Sequence, residues 1–231
     1  MFFPSVNAVV QKSVDRSDLN SIGVKSMKIR WLGHSCFKIT SENSSVIFDP
    51  YENGSVKGLK DIHDSAQLVL CSHYHHDHGA FDSVKKEEGT CCFTTETIET
   101  YHDDLKGALR GTNTIHIISD GTYRLAHLGD LGCQLEEEQL QKLENLDVIL
   151  IPVGGYYTID GDQAARLIQR LHPSIVIPMH YRSDTFGFDV ISAVEPFLSH
   201  FDHVRVLDTS TLEDLEAYRD CTVVLRPALV Q

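Results

Sequence analysis

Residues 73–78 read His-Tyr-His-His-Asp-His, and no other stretch limits so tightly what this chain can become. With thirteen histidines in 231 residues, the pattern H-x-H-x-D-H arises by chance in roughly a few chains per thousand of this composition. A His-rich solvated turn is the plain alternative, and the rest of the chain has to decide against it. On an extended segment, residues two apart project to the same side, so His73 and His75 aim at one point. A bend eased by Gly79 then directs Asp77 and His78 to a neighbouring point. One loop thus offers half-sites for two metal ions.

One loop cannot complete two coordination spheres. His102 in YHDD, Asp130 in HLGDLG and His180 in IPMHY stand at strand ends or in loops, where further ligands are expected. Imidazole and carboxylate donors suit zinc, iron or manganese, and the lack of a thiolate cluster argues against a closed structural zinc site.

The pattern around these residues is that of a layered α/β chain. KIRWLGHSCFKI alternates as strands do, followed by SSVIFDP. AQLVLCS reads as a strand buried on both faces. TCCFTT, NTIHIIS, TYRLAHL, DVILIPV, SIVIPMHY, HVRVLD and CTVVLRP supply further strands. EEEQLQKLENL, DGDQAARLIQRLH and FDVISAVEPFLSHF have helical spacing, the last interrupted by Pro196. Two sheets face to face with helices outside fit this order, over one domain from residue 27 to 231 with residues 1–26 as an N-terminal extension. The formal net charge of −13 disfavours nucleic acid and acidic membranes as partners, and no apolar run is long enough to cross a bilayer. Six cysteines without C-x-x-C spacing read as thiols of a cytoplasmic protein. Oligomeric state is not legible.

WLGHSCFKI, VIFDP, SHYHHDH, HDDLKGALRGTNTI, HLGDLG, IPVGGYYTIDGDQAA and IPMHY together resemble the metallo-β-lactamase-fold hydrolases, in the branch similar to ascorbate-6-phosphate lactonase. The resemblance implies an αββα sandwich with the site at one edge between the sheets. It implies two divalent ions, zinc by default and manganese or iron as alternatives. His73, His75 and His102 would hold the first, Asp77, His78 and His180 the second, and Asp130 would bridge them. His116 and His127 compete with His102 for the third histidine. The family pattern of His-Asp followed by G-x-x-R-G-x-N-T, met here as His102, Asp103 and GALRGTNT, favours His102. Asp49 is expected to accept a hydrogen bond from the ligand loop. His127 would support the bridging Asp130, and His34 either faces the pocket or is structural. His76 should be exposed. Relatives often carry His where this chain has Cys133, so a substrate contact there is in doubt.

Such a centre implies hydrolysis of a small molecule (a lactone, ester or phosphorylated metabolite) by a metal-bridging hydroxide, with Asp77 orienting the nucleophile and taking its proton. His75, where redox di-iron relatives resemble H-x-E-x-D, favours hydrolysis over redox chemistry. Arg110 in RGTNT is either an anion contact or a structural ion-pair partner. The tyrosines of VGGYYT line either the pocket or a subunit contact. A phosphodiesterase or nuclease, and a metal-binding protein with a degraded site, are the competing classes.

Overall fold

Alternation of apolar and polar residues from Met27 onward produces a hairpin. Strands β1 (Met27–Gly33) and β2 (Cys36–Ser41) pair antiparallel, with Trp31 opposite Phe37. The connection is the two-residue turn His34-Ser35, in which His34 takes a left-handed φ of 53°. The computed structural model describes residues 26–231, so the extension expected over residues 1–26 lies, Ser26 apart, outside the described residues. The chain continues through β3 (Ser44–Phe48), β4 (Ser65–Ala66), β5 (Leu68–Leu70), β6 (Lys85–Lys86), β7 (Thr94–Tyr101), β8 (Thr112–Ser119) and β9 (Arg124–His127). Then come α1 (Glu137–Lys142), β10 (Val148–Pro152), α2 (Gly161–Leu171), β11 (Ile175–Met179), α3 (Glu195–Leu198), β12 (Val204–Val206), β13 (Thr211–Leu212) and β14 (Cys221–Val224).

The strands form a five-stranded sheet in the order β13-β1-β2-β3-β5 and a seven-stranded sheet in the order β12-β14-β11-β10-β9-β8-β7. Rings from the two sheets meet between them: Phe48 stacks on His127 at 4.8 Å, and Trp31 lies 5.4 Å from Tyr181. The layered α/β sandwich is therefore the observed class. Among the described residues, all three α-helices lie in connections of the seven-stranded sheet. Helix α2 is set by a capping box in which Asp160 accepts the Gln163 N–H at 2.8 Å, and it ends at left-handed His172 before Pro173. It buries Ala164, Ala165, Ile168 and Leu171.

Two expectations are corrected. The AQLVLCS strand is not buried on both faces: β5 is an edge strand and its Leu68, Val69 and Leu70 are half-buried. Pro196 does not interrupt a long helix but sits in the first turn of the four-residue α3, where a missing N–H needs no partner.

Strand direction fixes where chemistry can gather. In the five-stranded sheet, β1 and β3 are both antiparallel to β2, and β5 is parallel to β3, so these three strands share one direction. In the other sheet β7 and β9 are both antiparallel to β8, and β11 runs with β9 through β10. His34, Asp49 and the His-rich loop follow the C-terminal ends of the first three; His102, Asp130 and His180 follow those of the second three. Six strand ends thus deliver the candidate residues to one edge.

Candidate metal centre

The His-rich loop closes in a tight turn over residues 75–79, where the bend at Gly79 was expected. His75 C=O accepts the N–H of His78 at 3.0 Å and of Gly79 at 2.8 Å. Gly79 is required by close approach, because a Cβ there would lie 2.9 Å from the Tyr74 Cα. The turn still puts His73 and His75 edge to face, with ring centroids 4.6 Å apart, and sends Asp77 and His78 to the other side. His76 points away into solvent and pairs with Glu52 at 2.9 Å.

Buried Asp49 fastens this loop. Its carboxylate accepts the Ser72 N–H and Ser72 hydroxyl, each at 2.6 Å, and His78 Nδ1 at 2.8 Å. The bond to Nδ1 leaves His78 Nε2 facing the cluster. Burial pushes the Asp49 carboxyl upward, but His127 and His78 outweigh it and hold it at about 2. His102 is oriented likewise: Nδ1 donates to Tyr157 C=O at 3.0 Å, and Nε2 lies 3.2 Å from Asp130. Beneath it Gly132 approaches so closely that a Cβ would stand 2.3 Å from the His102 carbonyl carbon. Gly132→Ala is expected to push His102 off its position and to weaken metal retention at least about tenfold. A chelator competition on the purified variant measures this.

Asp130 is held by its backbone N–H, which donates to Asn113 Oδ1 at 2.8 Å, while the Asn113 amide donates to Thr100 Oγ1 and Leu128 C=O. Its Oδ2 lies 3.2 Å from both His102 Nε2 and His180 Nε2, and its Oδ1 lies 3.2 Å from His78 Nε2. Three groups have donor atoms mutually within 4.8 Å: His73, His75 and His102; His34, Asp77, His78 and His180; and His73, His78 and Asp130. The structure thus brings all seven expected ligands together, with the Asp130 carboxylate between the other two groups. His34 joins them: buried, it reaches Asp77 at 3.3 Å, and its ring lies 4.1 Å from that of His180.

The donor set fits cations and is poorly satisfied by protons alone. His73 Nε2, His78 Nε2, His180 Nε2 and Asp130 Oδ1 are buried with no hydrogen-bond partner despite their proximity. Orphaned buried donors and acceptors are costly, and converging cations would satisfy them together. Burial holds His73 down to about 3 and His34 to about 4, so both imidazoles are neutral at pH 7. His78 and His102 go the other way: burial lowers them, but Asp130 raises both above the ordinary histidine value. A raised value means the imidazole holds its extra proton more tightly than an ordinary histidine, and a metal ligand must lose that proton. Metal uptake at pH 7 is therefore expected to release up to about two protons per chain and to tighten as pH rises. Calorimetry in buffers of different ionisation enthalpy reads the number directly; a value of zero would count against this arrangement.

The competing histidines have other tasks. His116 Nε2 donates to Cys71 C=O at 3.0 Å. His127 Nε2 donates to Ser35 C=O at 2.8 Å, and its Nδ1 accepts the Gly129 N–H, steadying the turn into Asp130. Arg110 and Tyr157 line the cleft beside the cluster, about 400 Å³ in volume, together with Leu109 and Phe188. Cys133 does not line it and packs half-buried against the core. Sequence reasoning missed Ser72, Asn113 and Gly132. Ser72 opens the His-rich run and Asn113 sits inside the quoted RGTNT, but both were passed over because their partners are distant in sequence.

Residues 28–180 match the profile of the Beta-lactamase superfamily domain. A UPF0173 metal-dependent hydrolase of Thermoplasma acidophilum is 30% identical over 203 residues, which cover 74% of this chain and 88% of the relative. One from Hyperthermus butylicus is 28% identical over 201 residues, covering 71% and 86%. Among solved structures, a metallo-β-lactamase superfamily protein of Thermotoga maritima assigned as a Zn-dependent hydrolase superposes with a TM-score of 0.67 at 26% identity, over 87% of this chain and all of that one. A metallo-hydrolase of Ignicoccus hospitalis, 22% identical with a TM-score of 0.54 over 73% of this chain and 86% of that one, shares the fold. With its His and Asp residues gathered at the edge between two mixed sheets, the chain belongs to the beta-lactamase superfamily and, within it, to the UPF0173 metal-dependent hydrolases.

Proposed function

We propose that the protein is a dinuclear metal-dependent hydrolase of a small molecule: a lactone, ester or phosphorylated metabolite. His73, His75 and His102 would hold one cation and Asp77, His78 and His180 the other, with Asp130 as the ligand shared between them. The observation that carries this reading is the Asp130 carboxylate, whose two oxygens stand 3.2 Å from imidazoles of both groups. Imidazole and carboxylate donors make zinc the first choice, with manganese and iron as alternatives.

Cations bound there would supply Lewis acidity, making a water more acidic and the electrophile more reactive. The chain's own residues supply the rest. Asp77, partly open to the cleft and braced by His34 at 3.3 Å, is placed to orient the attacking water and take its proton. Burial opposes ionisation of Asp77, but His78 and His34 hold its carboxyl below the usual range, so it is a charged acceptor at neutral pH. Tyr157, Phe188 and Leu109 line the cleft with apolar surface. A net charge of −13 and a cleft of about 400 Å³ favour a small substrate over a nucleic-acid strand. No helix among the described residues is long and apolar enough to cross a membrane. A cytoplasmic location with reduced thiols belongs to the same reading.

Elemental analysis followed by parallel assays on simple lactones and on bis-p-nitrophenyl phosphate tests it. Near two metals per chain with lactone or ester turnover is the expected result. Turnover of the phosphodiester alone would move the protein to the phosphodiesterase class. Full metallation with neither activity would return the degraded-site reading.

A further inference from the structure

Arg110 is the single Lys or Arg among the residues lining the cleft. Its guanidinium lies over two rings, 5.6 Å from the Tyr157 centroid and 5.9 Å from that of Tyr156. Among the described residues it has no carboxylate partner, in a chain whose formal net charge is −13. Asp103, seven residues earlier in the chain, is already engaged. Asp103, buried, accepts the N–H groups of Leu105, Gly107, Leu109 and Arg110 at 2.8–3.0 Å and so closes the 103–111 loop on itself. Gly107, at φ 80°, has no room for a Cβ, which would lie 2.8 Å from Gly111 O. The backbone that presents Leu109 and Arg110 is therefore fixed in advance, while the guanidinium is left with aromatic faces alone. Stacking keeps an arginine extended and poorly hydrated, with its donor fork free. Tyr157 also stands 6.5 Å from the His180 ring, so it neighbours both the guanidinium and the histidine–aspartate cluster, and Arg110 lines one cleft with His75, Asp77, His102 and Asp130. Ser55, lining the same cleft, has a buried hydroxyl with no partner.

We propose that Arg110, with Tyr157 and Ser55, forms an anion subsite that takes a terminal phosphate or carboxylate of the substrate while the scissile bond lies over the cluster. This rests on the hydrolase reading above and narrows it to anionic substrates. Phosphate and carboxylate share the chemistry, since both accept the planar guanidinium fork.

Isothermal titration of inorganic phosphate and, separately, of succinate into the purified metal-loaded protein tests the subsite, with metal content measured on the same samples. One of the two anions is expected to bind about tenfold or more weakly to Arg110→Gln, and Arg110→Lys to fall between, because it keeps the charge and loses the fork. Metal content should match the wild type in both variants. The anion that shows the loss identifies the group recognised. A matching rise in KM for an ester carrying that group, with little change in kcat, supports the same assignment. Equal anion affinity in wild type and Arg110→Gln would overturn it, since the metals alone would then account for binding. Arg110-dependent binding in a protein with fewer than two metals would leave the subsite standing and remove the dinuclear reading. Two metals with Arg110-independent binding would do the reverse.

Discussion

Asp130→Asn is expected to cost the protein its metal and its activity together. The substitution keeps the shape, and the backbone N–H at 130 still donates to Asn113, so the strand end stays in place. It replaces one carboxylate oxygen by an amide that can only donate, at a point flanked by His78, His102 and His180 Nε2 atoms at 3.2 Å. In the proposed centre this removes the ligand shared by both groups, so affinity should fall by more than the ten- to hundredfold typical of changes to residues that only orient a ligand. Metal content should drop from near two per chain to one or none, and turnover by about a thousandfold or more. The same variant carries a second readout. Asp130 is the largest of the groups that raise His78 and His102, ahead of Asp77 and Asp49 at His78, so the protons released on metal binding should decrease in Asp130→Asn. Two retained metals with unchanged proton release would mean that Asp130 does not bridge.

Asp49→Ala is expected to harm folding as well as metal binding, although Asp49 belongs to none of the three candidate ligand groups. Three donors converge on its carboxylate, from the Ser72 N–H, the Ser72 hydroxyl and His78 Nδ1, and all are buried. Truncation leaves them unsatisfied at a cost of about 3 kcal/mol or more, and frees His78 to rotate or change tautomer. The melting temperature should fall by several degrees, and metal affinity by about ten- to hundredfold. Asp49→Asn separates the effects: it fills the space and accepts one hydrogen bond, so stability should recover more than affinity. A variant that melted as the wild type does would show that the loop is held elsewhere.

The two variants also mark how far the sequence could be read. The residues of SHYHHDH are local, and their chemistry is visible without a fold. Asp130 and His180 were legible because each directly follows an apolar strand, and His102 through the family pattern of His-Asp followed by G-x-x-R-G-x-N-T. Asp49 was legible through VIFDP, yet the reason for its position, an Asp49-Ser72-His78 network across 29 residues, exists only once β3 and β5 lie side by side. Neither pocket-facing nor structural could be preferred for His34 from sequence, because its place depends on a left-handed turn residue in a hairpin. β5 was read as buried on both faces because an apolar run does not say whether another strand covers its far side. Gly132 and Asn113 carried no signal of their own: one is needed for the space beneath His102, the other for a single backbone N–H.

His34, Asp49 and the His-rich loop hang from one sheet, while His102, Asp130 and His180 hang from the other. A cation seated among them is thus a rivet through both leaves of the sandwich, and pulling the leaves apart means breaking its bonds. Folding and occupancy become one equilibrium, with apparent stability rising as the logarithm of free metal over its dissociation constant. In a cell this makes the protein's lifetime a gauge of metal supply: chains made when the ion is scarce would open more often and be cleared sooner.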